Sequence, residues 1–180
     1  MIKNINEKWR SDMASFVMIE RITEVRTHLW MDALFFLEQA YAEKSKVDTW
    51  YVGTYSRGSI LFSVTAFESS CANLFNDKEF SNHKGHKGIM PGIKLMMGKL
   101  FAVDINLNCE YWKSVAQTIA NRRDFAHGKH NQSGLFIDYQ ESANTAITLL
   151  AAIKKLYELA NKPVEPWIDE YKSRFEKFRE

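Results

Sequence analysis

"NCEYWKSVAQTIANRRDFAHG", Asn108 to Gly128, is the stretch whose reading decides the fold. Trp112, Val115, Ala116 and Ile119 recur at the spacing of one face of an α-helix, which predicts a helix over about 108–126. Carried forward, that face meets Arg122, Arg123 and Ala126. An arginine therefore falls on or beside a stripe that should still be apolar. A half-buried guanidinium is costly unless it is paired or faces a cleft. The plainer reading is that it snorkels outward at the helix end, where a cation also suits the C-terminal dipole. Gly128 is the residue type that commonly follows a helix end, so His127 is expected at the terminus, free to lean over a cleft.

Working outward, long segments lie between only 3 prolines and 8 glycines, and such segments favour helices. One runs from about Asn6 to Lys46 and carries Trp9, Met13, Phe16, Val25, Leu29, Trp30, Leu37 and Tyr41. It is long for one helix, and a break near Arg26–His28 would divide it. A second helix is expected after Gly58, with Ile60, Leu61, Val64, Phe67, Cys71 and Leu74 as its stripe. "WYVGTY", Trp50 to Tyr55, is the best strand candidate, though short. "NDKEFSNHKGHKG", Asn76 to Gly88, reads as a loop, followed by a shorter helix after Pro91. A long helix is expected from about Ile137 to Asn161 and a final charged one after "KPVEP". The expected fold is all-α: a helical bundle with long antiparallel helices. It forms a single domain over 1–180, with an N-terminal helical segment 6–46, a core 57–161 and a C-terminal helix 165–180.

With 180 residues, 46% hydrophobic and 26% charged, the chain can bury a sizeable core and lacks the composition of a disordered protein. A net charge of +2 does not by itself announce a nucleic-acid binder. Cys71 and Cys109 lie in apolar, helix-like stretches, so free thiols are the simpler reading than a disulfide. The charged "MIKNINEKWRSDM" has no apolar signal core, and no apolar run approaches the roughly 18 residues that span a bilayer. The expectation is a cytoplasmic protein with no membrane partner.

A second anomaly matches the first. Glu68 falls four residues after Val64 and three before Cys71, within the apolar stripe of its helix. It either reaches water at the stripe's edge or needs a partner, and an arginine of a neighbouring helix is the natural one. If both groups face inward, Glu68 and Arg122 or Arg123 can form an ion pair that orients the guanidinium.

Three chemistries compete for these residues. His83/His86 and His127/His130 form two H-x-x-H pairs that could hold zinc, but both lie in loop-like stretches with no cysteine nearby. No G-x-S-x-G elbow or phosphate-binding glycine loop supports a serine hydrolase or a nucleotide phosphatase. The third is metal-free RNA cleavage by the 2′-hydroxyl. Histidine suits its proton transfers, having an unperturbed pKa of about 6.5. Arginine suits the phosphoryl oxygens. One chain offers one Arg–His set, and a two-fold dimer would bring two together.

"RRDFAHG", Arg122 to Gly128, resembles the R-x(4–6)-H signature of the HEPN superfamily (higher eukaryotes and prokaryotes nucleotide-binding domains). Arg122 matches the family arginine and His127 the family histidine; Arg123 stands where a polar residue, often asparagine, is common. "SVTAFESSCANLF", around Glu68, is similar to an earlier family helix that often carries a polar or acidic residue facing the site. The resemblance covers the middle and late parts of the chain. It implies a helical bundle that dimerises with the two motifs facing each other. It also implies metal-independent endoribonuclease activity, often of a toxin or an antiviral defence effector with an antitoxin or defence-system partner. Some members are inactive or only bind nucleotides. On this reading Arg122 and His127 are catalytic and no cofactor or metal is expected. Glu68, Arg123, Asp124 and His130 support the site, and Lys129, Lys84 and Lys87 contact RNA.

Overall fold

The computed structural model describes residues 25–45, 49–75, 78–82, 88–127 and 137–179, with the backbone alone at 49 and 123–127. Among the described residues every regular element is a helix: α1 Val25–Glu43, α2 Thr49–Leu74, α3 Ile89–Phe101, α4 Glu110–His127, α5 Tyr139–Leu159 and α6 Pro166–Glu176. None is long and apolar enough to cross a membrane. Residues of all six helices join one buried cluster, including Trp30, Phe67, Ile93, Val115, Leu149 and Phe175.

The helix ends follow from local chemistry. Asp138 accepts the backbone N–H of Glu141 at 2.7 Å and so caps α5. Pro166 occupies the start of α6, where its missing N–H would have had no helical partner. Ala102, at φ 55°, ends α3, its backbone N–H donating to the Met97 carbonyl. At the far end of α5, Lys162 Nζ donates to the Leu74 carbonyl at 3.3 Å, satisfying an acceptor in the last turn of α2.

Two pairs of chain neighbours, α1–α2 and α5–α6, run antiparallel. The short connection from α1 to α2 and the meeting of Phe36 with Gly58 and Phe62 fix that pair. Lys154–Asp169 and Tyr157–Glu165 fix α5 against α6. By contrast α2 and α5 are parallel: Ser142 Oγ donates to the Ser56 carbonyl near their starts, and Lys162 meets Leu74 near their ends.

Several expectations need correction. "WYVGTY" is not a strand but the start of α2, which begins at Thr49 rather than after Gly58. The reason is tertiary: a Cβ on Gly58 would lie 2.7 Å from Phe36 Cδ1, so this glycine is a close-approach position between helices rather than a breaker. α1 is continuous through Arg26–His28 and ends at Glu43. The expected helix over 6–24, with Trp9, Met13 and Phe16, lies outside the described residues. Within the 76–88 stretch, residues 78–82 are helical and bury Phe80 against Phe75 at a 5.3 Å ring separation. The final helix ends at Glu176. Neither Cys71 nor Cys109 forms a disulfide.

The α1–α2 seam yields a stability prediction. The Phe36 ring is held by stacking on Phe62 at 5.3 Å and by contact with Tyr55, so it cannot swing away cheaply. Gly58→Val is expected to cost about 2 kcal/mol by overpacking, outweighing the gain in helix propensity. Tm should fall by roughly 4–8 °C in a thermal melt. An unchanged or higher Tm would mean the ring is free to move.

A polar clamp ties the start of α1 to the α5–α6 corner. Glu165 accepts Arg26 Nη1 at 2.8 Å and the Tyr157 hydroxyl at 2.7 Å, and its other oxygen accepts Trp167 Nε1. Burial opposes ionisation of this carboxyl, but the Trp167 and Tyr157 hydrogen bonds and the Arg26 charge outweigh it, holding its pKa below the ordinary value. Burial and the neighbouring Glu165 push the Tyr157 hydroxyl up to about 12, so it remains a donor. A carboxyl with a depressed folded pKa stabilises fully above its unfolded value of about 4.3 and loses that contribution as pH falls through the folded one. Glu165→Gln should therefore cost about 1–3 kcal/mol at pH 7. The gap to wild type should narrow in melts as the pH falls below about 4. A gap independent of pH would show that the charge is not what stabilises the corner.

Candidate functional site

α4 is anchored by Trp112 and Val115, both buried, with Ala116 and Ile119 half-buried against the same cluster. Its helical run continues through 121–127, so the arginines come before the helix ends and His127 is its last residue. One flank of α4 meets α2 and another meets α5.

On the α2 flank, Arg122 Nη1 lies 2.8 Å from Glu68 Oε1. The Glu68 side chain is 14% exposed and that of Arg122 36%, so the carboxylate is nearly enclosed while the guanidinium reaches the surface. The pair spans 54 positions of sequence. Glu68 sits between Phe67 and Cys71 on a helix whose buried face is otherwise uncharged, mixing apolar side chains with Ser56, Ser59, Ser63 and Ser70. A charge so placed needs a counter-charge, and a charge-assisted hydrogen bond supplies it. A guanidinium carries five N–H donors. The contact with Glu68 engages one nitrogen and restrains the long side chain, leaving other donors for an anion at the exposed edge. Periodicity left Arg122 and Arg123 equivalent; the described ion pair belongs to Arg122.

For Arg123, Asp124 and His127 the described backbone places all three in the final turns of α4. His130, Lys129, Lys84 and Lys87 lie outside the described residues, as do His83 and His86 of the first H-x-x-H pair. Among the described residues no group of His, Cys, Asp and Glu could hold a metal ion. The other basic residues near the 76–88 stretch do not form an open cationic face: Lys99 meets Glu79 at 2.9 Å and Lys94 meets Asp104 at 3.2 Å.

On the α5 flank lies a cleft of about 390 Å³ that sequence reasoning missed. Thr118 and Asn121 of α4 face Glu141, Asn144, Thr145 and Thr148 of α5 across it. Asn121 directly precedes Arg122, so one helix presents the ion pair on one side and this polar cleft on the other. The α5 residues fall on the solvent side of a helix whose apolar stripe is so clear that its polar face drew no attention. No family model, curated protein or solved structure matches this chain.

Proposed function

We propose that this protein is a metal-independent endoribonuclease of HEPN type that acts as a homodimer. The observation carrying the reading is the Arg122–Glu68 pair: the arginine singled out by the motif is held by a nearly buried carboxylate while its guanidinium stays open to an anion. An arginine fixed in this way suits charge that develops on a phosphoryl group, because little reorganisation is needed when the charge appears. His127, whose backbone ends the same helix, is the proton-transfer group of this reading.

The reaction follows from these groups. The ribose 2′-oxygen attacks the adjacent phosphorus and its proton passes to one His127. The bond from phosphorus to the 5′-oxygen breaks, and the leaving oxygen takes a proton from His127 of the other protomer. Arg122 of each protomer stabilises the non-bridging oxygens. The products are a 2′,3′-cyclic phosphate and a 5′-hydroxyl, with no oxidant, metal or cofactor consumed. A role as a toxin or antiviral effector, restrained by an antitoxin or defence-system partner in the cytoplasm, fits such an activity.

Glu68 is then a positioning residue. With RNA in EDTA, Glu68→Ala should lower kcat by about tenfold or more through a misplaced Arg122. Glu68→Gln, which can still accept the hydrogen bond, should recover part of that loss. Equal rates for all three proteins would remove Glu68 from the mechanism.

A second reading is a catalytically silent HEPN-like module that binds a partner protein or a nucleotide. It is favoured by the same ion pair taken as a tie between α2 and α4. On that reading Arg122→Ala lowers Tm and His127→Ala changes nothing.

A further inference from the structure

We infer that the cleft between α4 and α5 is a nucleobase pocket that selects guanine, through Glu141, Asn144 and Thr148 of α5 with Thr118 and Asn121 of α4. Its role in choosing a cleavage position rests on the endoribonuclease reading; its capacity to bind a base does not.

The volume, about 390 Å³, is that of a small-ligand site. Its lining is mostly amide, hydroxyl and carboxyl groups rather than apolar side chains. Thr118 Oγ1 donates to the Ser114 carbonyl and the Asn121 carbonyl oxygen accepts from Gln117, which fixes the α4 wall. That hydrogen bond leaves the Asn121 amide N–H groups as donors. Asn144 is exposed at the mouth, with Thr145 and Thr148 half-buried deeper along the same helix. Residues of two helices, rather than of one helix alone, line this open groove.

The charge of the cleft decides the ligand class. Asp138 and Glu141 stand at one end, and among the described residues no lysine or arginine lines the cleft. A phosphate would be repelled there. A base is uncharged, and its edge carries the donors and acceptors that amides, hydroxyls and a carboxylate can read. Guanine places an N1–H and an N2–H side by side, the arrangement that matches the two oxygens of one carboxylate, and its O6 accepts from an amide. Asp138 already accepts the Glu141 backbone N–H, which leaves the Glu141 side chain as the reading group. Burial first, and the Asp138 charge second, raise the Glu141 carboxyl above its ordinary pKa. Both effects favour a ligand that donates hydrogen bonds to it.

The placement also fits a nucleotide. Arg122 and Asn121 are adjacent on α4, about 3.8 Å apart at Cα. A phosphate at the Arg122 edge and a base on the Asn121 side would lay one RNA strand across the exposed face of α4.

Titration of the full chain with guanosine and with uridine, followed by NMR, tests the pocket apart from catalysis. Guanosine should bind at least tenfold more tightly than uridine. Glu141→Gln and Asn144→Leu should each weaken guanosine at least tenfold. Both positions are exposed, and circular dichroism confirms that the variants fold. An RNA with one guanine in a uridine run should be cut beside that guanine by wild type and without that preference by the variants. Equal binding of the two nucleosides, or guanosine binding unchanged in both variants, overturns the pocket. Selective guanosine binding that the variants lose, with no cleavage by wild type, supports the pocket and overturns the nuclease. Cleavage indifferent to the base, with no selective binding, does the reverse.

Discussion

Replacing His127 by alanine is expected to lower RNA cleavage by about 10²–10⁴-fold, the range for loss of a positioned general acid or base. In a symmetric dimer the substitution removes both proton-transfer groups at once, so the upper half of that range applies. Arg122→Ala should cost about 10²–10³-fold, as for a single preorganised donor to a developing anion. Arg122→Lys should not restore the rate, because a lysine is a point charge without the planar fork that can hold Glu68 and a phosphate together. The two losses should also differ in kind. Arg122 is tied to Glu68 in the folded chain, so its removal takes this ion pair from a nearly buried carboxylate and should lower Tm as well as rate. His127 ends its helix, and its replacement should leave Tm within about 2 °C, because substitutions away from buried contacts change stability by about 0.5 kcal/mol or less. Wild-type cleavage by His127→Ala, measured on the same RNA in EDTA, would remove it from the chemistry.

The largest effect on folding is expected at Trp30. Its side chain is fully buried in α1, edge-on to Phe175 of α6 at a ring separation of 6.1 Å. It therefore holds α1 against the C-terminal helix. Trp30→Ala should cost about 3–5 kcal/mol, the usual figure for truncating a buried aromatic to alanine, and lower Tm by roughly 10–15 °C. Trp30→Phe makes a sharper comparison. The indole Nε1 is buried with no hydrogen-bond partner among the described residues, and an unpaired buried donor carries a penalty of about 1–3 kcal/mol. Phenylalanine removes that donor while keeping most of the ring, so the relief offsets much of the lost contact area. The two variants should thus differ by well over 5 °C in thermal melts. Equal destabilisation would mean that the indole N–H, rather than the ring, carries the contact.

These residues also show what could be read in advance. The helices α4 and α5 were legible because their apolar positions recur without interruption, and periodicity is fixed by the helix itself. The start of α2 was not. Gly53 and Gly58 punctuate it, and the aromatic and β-branched residues of 50–55 favour a strand locally. What overrides that preference is Phe36, a residue of another helix that fills the space over Gly58. Phe80 was hidden in a polar stretch because a single apolar residue has no period. At the site, the anomalous positions of Glu68 and the arginines were visible as charges on apolar stripes. Their pairing was open between two arginines, since adjacent helical positions can both lean toward a neighbour. The α4–α5 cleft was illegible because threonine and asparagine on an outer face look the same whether they meet water or one another.

The most direct measurement is the chemistry of the cut ends. Purified full-length protein is incubated with RNA in EDTA, and the termini are analysed by mass spectrometry. The expected result is a 2′,3′-cyclic phosphate on one fragment and a 5′-hydroxyl on the other, both absent with His127→Ala. Intact RNA with the wild-type protein, or the same ends produced equally by His127→Ala, would contradict an endoribonuclease built on Arg122 and His127.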